Sequence, residues 1–383
     1  MEPYLPNYLK GKNRRLVFDL LRERGQMSRA EITRDTGMSF PTAMKVVDAF
    51  LEKGLLVELD ETGPAAGAGR KGRLLRFEPG AYRAVGVECE GRFARVGLAD
   101  MAGGVQARET IELGDFARTR DLSPLAAAIR RMCAAANGAP VLGVCIGFPA
   151  NLDPDAAAIV SYAAMDIQQP TSFAQVFPAF WREVELPVYL ENDANLACEG
   201  EAFLRRGAGG EANMLYLSIG SGCGGAVRLD GKLRRGARCR AGEVGAMLLQ
   251  PALGAPGRSA ARETLEDAVC LAALERRFGA ALRDGAQPGE ASAQAMRDYL
   301  CGPLSGAVYS LVMTLDVELC VLAGIVPGAL GMQLCTQVSE ALRAALPEST
   351  PVRVEPSVSA DAGVIGAAAT VFERSLDALL GSG

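Results

Sequence analysis

The sequence predicts an α/β protein in two parts: a winged helix-turn-helix over residues 1–78 and a two-lobed body, 79–190 and 191–383, whose C-terminal helix returns to the first lobe. Three observations carry this. Capped helical segments open the chain and lead into a strand, a basic loop and a return strand. A strand–glycine turn–strand unit then occurs twice, near 84–99 and 214–229, each time followed by further α and β segments, which suggests duplicated lobes flanking a cleft. Charge divides in the same way. Residues 1–78 hold 14 Lys/Arg and 11 Asp/Glu, a net of +3, whereas the remainder holds 26 and 34, a net of −8. A basic end on an acidic body is the asymmetry of a DNA-binding module fused to another unit. The length, 383 residues, also exceeds the roughly 250–300 at which a single core stops growing.

The N-terminal elements follow from their caps. Residues 13–25 place Leu16, Leu20 and Leu21 on one helical face with Val17 beside them, and Gly25 closes the helix. Ser28 opens SRAEITRDTG, with Glu31 three residues later forming a capping box. After the Gly37 turn, Ser39 caps a third helix that has Pro41 in its first turn and Gly54 at its end. The strands LLVEL (55–59) and LLRF (74–77) flank a wing carrying Arg70, Lys71 and Arg73. The third helix is expected to enter a major groove, where Ser39, Phe40, Thr42 and Lys45 meet bases or phosphates. Arg29 and the wing cations complete the expected DNA contacts. A three-helix core with a charged hairpin used for protein contacts is the alternative.

In the body, strands are predicted across 84–101 (turning at Glu90-Gly91), 141–148, 187–193 and 212–232, with a helix at 122–136. Four segments there carry candidate chemistry. Glu191-Asn192-Asp193-Ala194-Asn195 ends a strand and opens a helix. Carboxylate and amide at that point suit hydroxyl recognition, and Asp193 suits a general base, although it equally suits a helix N-cap. Gly220-Ser221-Gly222 bring backbone N–H groups close to an anion, or merely turn a hairpin. Glu243, among small residues in AGEVG, is an acceptor for a polar ligand or a solvated loop glutamate. The small-residue run at 358–372 reads as a close-packed core helix.

Composition excludes several chemistries. There is no histidine, hence no Ser-His-Asp or Cys-His nucleophile and no imidazole metal ligand. The ten cysteines never pair as C-x-x-C and read as reduced, buried thiols. MEPYLPNYLKGKNRR lacks the apolar stretch of a signal peptide, and residues 319–339 read as strand, turn and helix rather than a membrane span. A cytoplasmic protein without membrane contact is expected.

Several of these segments together resemble the ROK family of repressors, open reading frames and kinases, in particular its winged-helix regulators of the xylose and N-acetylglucosamine repressor type. The resemblance rests on SRAEITRDTGMSFPTAMKVVDAFLEKGLL and GRKGR at the N-terminus. In the body it rests on VYLENDANLACEGEA, LYLSIGSGCGGAVRLDGKLRRGA, AGEVG and DAGVIGAAA. It implies an actin-like, sugar-kinase-type fold and a homodimer or homotetramer on operator DNA. It also implies a sugar or amino-sugar effector held by Asn192, Asp193 and Glu243. The departures are equally specific. The family's Asp-x-Gly-Gly-Thr phosphate loop is here Glu88-Cys89-Glu90-Gly91-Arg92, leaving Gly220, Ser221 and Gly222 as the phosphate-loop remnant. The histidine of Gly-Glu-x-Gly-His is Ala246, the second glycine of the family's Pro-Gly turn is Ala150, and GAPGRSAARETLED replaces the zinc cysteines. The sequence therefore predicts neither zinc nor ATP as cofactor, and a regulator rather than an enzyme. A sugar kinase with Asp193 as base and a ligand-free dimerisation scaffold are the alternatives.

Overall fold

The computed structural model describes residues 6–62, 73–205, 212–249, 263–279, 282 and 288–380. The winged helix is assembled from α1 (Pro6–Arg24), β1 (Gln26–Ser28), α2 (Arg29–Thr36), α3 (Phe40–Glu52), β2 (Leu56–Thr62) and β3 (Arg73–Phe77). The capping box is fully formed. The Ser28 hydroxyl accepts from Glu31 N at 3.3 Å, and Glu31 Oε2 accepts from Ser28 N at 2.7 Å. Ser39 Oγ caps α3 by accepting from Thr42 N. Two details differ from the expectation. The buried face of α1 is Arg14, Val17, Phe18 and Leu21, while Leu16 is 44% exposed. The i, i+3, i+4, i+7 spacing from Arg14 is the better stripe, hidden because it begins with a cation. The wing is also three-stranded, because β1 pairs with β3 in the order β1-β3-β2.

The body contains two five-stranded sheets of identical topology. In the first, β4 (Arg83–Glu90), β5 (Phe93–Asp100) and β6 (Val105–Glu112) form an antiparallel meander. Then β7 (Val141–Phe148) and β11 (Val188–Asn192) add in parallel on the β4 side, giving β11-β7-β4-β5-β6. In the second, β12 (Met214–Ile219), β13 (Cys223–Leu229) and β14 (Lys232–Leu233) form the meander, and β15 (Leu319–Ala323) and β16 (Arg353–Pro356) add in parallel. The duplication suggested by the two glycine-turn hairpins is thus realised strand for strand. Between β6 and β7 lie α4 (Phe116–Thr119) and α5 (Ser123–Ala135), and between β7 and β11 the small sheet β8 (Asn151–Asp153), β9 (Ala158–Ser161) and β10 (Thr171–Ser172) with α6 (Phe173–Val176) and α7 (Pro178–Glu183). The second lobe carries α9 (Leu265–Val269), α10 (Leu271–Phe278), α11 (Glu290–Leu315), α12 (Ile325–Leu330) and α13 (Met332–Ala345).

Two helices join everything: α8 (Asp193–Leu204) and the C-terminal α14 (Ala362–Leu379). One face of α8 packs Ala194, Ala197, Cys198 and Ala202 on the second sheet, against Met214, Tyr216 and Val321. Helix α14 lies across β4 and β7 of the first sheet. The two helices touch backbone to backbone. A Cβ on Gly366 would stand 2.7 Å from Gly200 N and closer still to the Leu196 carbonyl, so both positions accept glycine alone. At its far end α14 holds the winged helix. Buried Arg14 donates to the Leu380 carbonyl at 2.9 Å, Arg15 pairs with Glu373, and Phe372 and Leu376 share one core with Val17, Phe18 and Leu21. Among the described residues no helix is long and apolar enough to cross a membrane.

Candidate effector cleft and nucleic-acid interface

The two lobes face each other across a cleft of about 890 Å³, into which both glycine-turn hairpins and the end of β11 project. The expected residues converge there: Asn192, Asp193, Glu243, Gly220, Ser221 and Gly222 all line it, although they come from three separate segments. Asp193 is the first residue of α8, and the N-cap is Asn192, whose Oδ1 accepts from Asn195 N at 3.1 Å. The N-cap alternative for Asp193 is therefore wrong by one residue, which leaves its carboxylate for a ligand. Asn192 spends its amide on the fold, because its Nδ2 also donates to the Ala150 carbonyl at 3.3 Å. Buried Glu191 accepts from Asn192 N, from Asn195 Nδ2 at 2.9 Å and from Arg235 at 2.7 Å, tying the end of β11 to the loop that carries Glu243.

Glu243 is held by a residue that spacing does not reveal. With its amide oriented by its partners, Asn151 donates to Glu243 Oε1 at 2.7 Å and to the Cys239 carbonyl at 3.2 Å, and accepts from the Ser161 hydroxyl at 3.0 Å. Glycine in AGEVG is steric. A Cβ on Gly242 would stand 3.0 Å from the Gly225 carbonyl carbon, so the turn presses flat against β13.

The phosphate-loop remnant is occupied by carboxylates of the chain itself. Glu266 accepts from Cys223 N at 2.9 Å and sits 2.9 Å from where a Gly222 Cβ would be; Glu90 stands 2.8 Å from the same position on Gly220. The Cys223 N–H is thus taken by a carboxylate and the Gly220 N–H by the Gly222 carbonyl, with negative charge close beside the turn. Glu88 and Glu90 themselves bind Arg95, at 3.0 and 3.5 Å. Burial pushes Glu88 up to about 7, against the pull of Arg95 and aided by Glu90. Burial likewise raises Asp193 to about 6, with Glu90 and Glu243 adding repulsion and backbone N–H groups opposing. In both cases the folded carboxyl holds its proton more tightly than the unfolded one. The stability contribution is therefore complete below the unfolded value and lost as pH rises through 6 and 7. Asp193→Asn with Glu88→Gln should flatten this decline, seen as urea midpoints that differ less between about pH 5 and pH 7.5 than in the parent. An unchanged pH dependence in the double variant would disprove the assignment.

At the winged helix, Ser39, Phe40 (56% exposed) and Lys45 lie on the open surface of α3, with Thr42 half-buried beside them. Ser39 and Thr42 share a hydroxyl hydrogen bond at 2.8 Å. Arg29 is placed differently from the expectation. Its guanidinium bridges Asp48 at 3.1 Å and Glu58 at 2.9 Å, bracing α2, α3 and β2 rather than standing free for DNA. Arg73 is exposed and reaches the same Glu58 at 3.4 Å. Arg70 and Lys71 lie outside the described residues.

Comparison with known proteins agrees with this architecture. Residues 84–374 match the ROK family. The Xylose repressor of Caldicellulosiruptor bescii is 27% identical over 241 residues, covering 62% of this chain and 58% of that protein. The Xylose repressor of Bacillus subtilis is 24% identical over 254 residues, covering 63% and 62%. The Glucokinase of Halalkalibacterium halodurans is 33% identical over 141 residues, covering 35% and 40%. The chain thus spans about three fifths of the length of these repressors. Among solved structures, a ROK family transcriptional regulator described as a homologue of the E. coli MLC protein superposes with a TM-score of 0.76 at 18% identity, covering 97% of this chain and 98% of that one. The ROK hexokinase of Thermus thermophilus superposes with a TM-score of 0.58 at 26% identity, covering 76% and 98%. The two-lobed body is the actin-like fold of these kinases with a winged helix added in front, and the chain belongs to the ROK family.

Proposed function

We propose that the protein is a DNA-binding transcriptional regulator whose cleft senses a sugar, and that it acts as a homo-oligomer on operator DNA. One observation carries this reading above the others: carboxylates of the chain itself fill the anion-binding turn of the cleft, while the winged helix keeps an open polar recognition face. The first of these opposes phosphoryl transfer; the second serves DNA. Asp193 and Glu243 accept from ligand hydroxyls, and Asn192 and Asn151 hold them in place. The names of the matched repressors make xylose and related aldoses the first ligands to try. An effector acts by binding one lobe arrangement more tightly than another, and α8 and α14 pass that difference to α1.

The test is selection of operator DNA from a random duplex pool, followed by anisotropy titration with and without pentoses, hexoses and N-acetylhexosamines. Failure to enrich any sequence at physiological salt would end the regulator reading. Lys45→Ala should weaken binding to the selected duplex and lower the slope of log Kd against log salt by about one, the loss of a single phosphate contact. Unaltered affinity and slope would remove α3 from the interface. The kinase alternative draws on the raised Asp193 carboxyl, which suits a general base. Asp193-dependent ATP turnover with any of the same sugars would restore it. A scaffold without ligand predicts that none of them raises the melting temperature.

A further inference from the structure

We propose that the groove where α1 meets the body is a second ligand site, for a small polyanion bearing phosphate or carboxylate groups. This groove, about 1180 Å³, shares no residue with the cleft. Its walls come from α1, α8, the β13–β14 hairpin and α14. Six cations line it, Arg15, Arg22, Arg228, Lys232, Arg235 and Arg374, against the four carboxylates of Asp19, Glu23, Glu199 and Glu373. Two of these cations are already paired with carboxylates beyond that lining, Arg235 with Glu191 at 2.6 Å and Arg374 with Asp155 at 3.0 Å.

Two guanidiniums at its floor are incompletely satisfied. The Arg22 side chain is 5% exposed, binds Asp19 at 2.8 Å and lies 4.8 Å from the Phe203 ring centroid, yet its Nη1 is buried with no hydrogen-bond acceptor. The Arg228 side chain is 12% exposed and pairs with Glu199, yet its Nε is likewise buried without an acceptor. A buried cationic N–H with nothing to donate to bears its full desolvation penalty, and such groups in a native fold call for a missing partner. Glu199 and Phe203 are one turn apart on α8, so the two under-satisfied guanidiniums share one stretch of the floor beneath the groove. Planar, charge-assisted donors in that arrangement match phosphate or carboxylate oxygens, and a modest rotation of each fork brings the idle N–H to the ligand. Exposed Lys232 at the rim adds a point charge.

The ligand would bridge α1 of the DNA-binding module to the hairpin of the second lobe. It would therefore fix the angle of the module on the body, independently of the sugar cleft. Inorganic pyrophosphate is the probe, with orthophosphate beside it and sodium chloride at matched ionic strength as control, on the full chain. Pyrophosphate is expected to raise the melting temperature beyond the chloride control. Arg228→Gln and the rim variant Lys232→Glu, whose exposed side chain leaves folding intact, are expected to weaken its Kd about tenfold. A rise no larger than that in chloride overturns the proposal, as does a pyrophosphate affinity unchanged in both variants. Variants that lose affinity for the selected duplex but bind pyrophosphate normally would make the groove a contact for DNA backbone instead, which also overturns it.

Discussion

Gly366→Ala is expected to destabilise the protein by about 3 kcal/mol, at the upper end of what overpacking costs. The added methyl would stand 2.7 Å from Gly200 N and even nearer the Leu196 carbonyl, so α14 has to move off α8. Neither helix has room to yield. Gly86 on β4 already meets the Val364 backbone on the other side of α14, and the α8 face opposite is buried on the second sheet. Gly302→Ala on α11 is the control. It sits on an exposed helical surface with nothing within 4 Å, so exchange there should stabilise by roughly 0.5–1 kcal/mol. Urea midpoints separate the two. A Gly366→Ala midpoint equal to the parent would mean that α8 and α14 are not the rigid joint between cleft and winged helix.

Asp193→Ala is expected to weaken the response to the sugar effector by about tenfold to a hundredfold, the value of one or two hydrogen bonds to a charged acceptor at 1.4 kcal/mol per decade. Its carboxylate opens α8 and lines the cleft. DNA affinity without effector should remain as in the parent, because Asp193 is at the opposite end of α8 from the Arg22–Phe203 contact. Anisotropy of the selected duplex during sugar titration reads both quantities together. Superposable titration curves for the two proteins would remove Asp193 from effector binding. Below about pH 6 the parent itself should respond less, since protonation removes the charged acceptor.

Much of the architecture was legible from local signals. The Ser28–Glu31 capping box and the Ser39 cap lie within four residues of the groups they satisfy, so nothing distant was needed to see them. The hairpin turns at Gly91 and Gly220–Gly222 and the strand at 141–148 fall where expected, because a two-residue period or a glycine turn is written into consecutive residues. What escaped was any role set by a distant partner. Arg29 reads from sequence as a DNA contact, yet its guanidinium braces α3 and β2 through Asp48 and Glu58. Leu16 reads from sequence as core, yet Arg14 holds the buried position because the Leu380 carbonyl accepts from its guanidinium. Glu266, the carboxylate covering the glycine turn, lies 43 residues beyond Cys223 in no motif at all.

The sequence alone determined the class of the protein: a basic, capped winged helix ahead of a duplicated α/β body without histidine. Each of these is a property of composition or of neighbouring residues. Only the tertiary structure decided how the glycine turns are used and how cleft and winged helix are joined. The 358–372 run reads from sequence as a core helix, but its glycines are needed because α8 meets them backbone to backbone. A backbone contact leaves no side-chain pattern to read, and a carboxylate brought in from afar leaves no spacing. Both are consequences of folding long segments together.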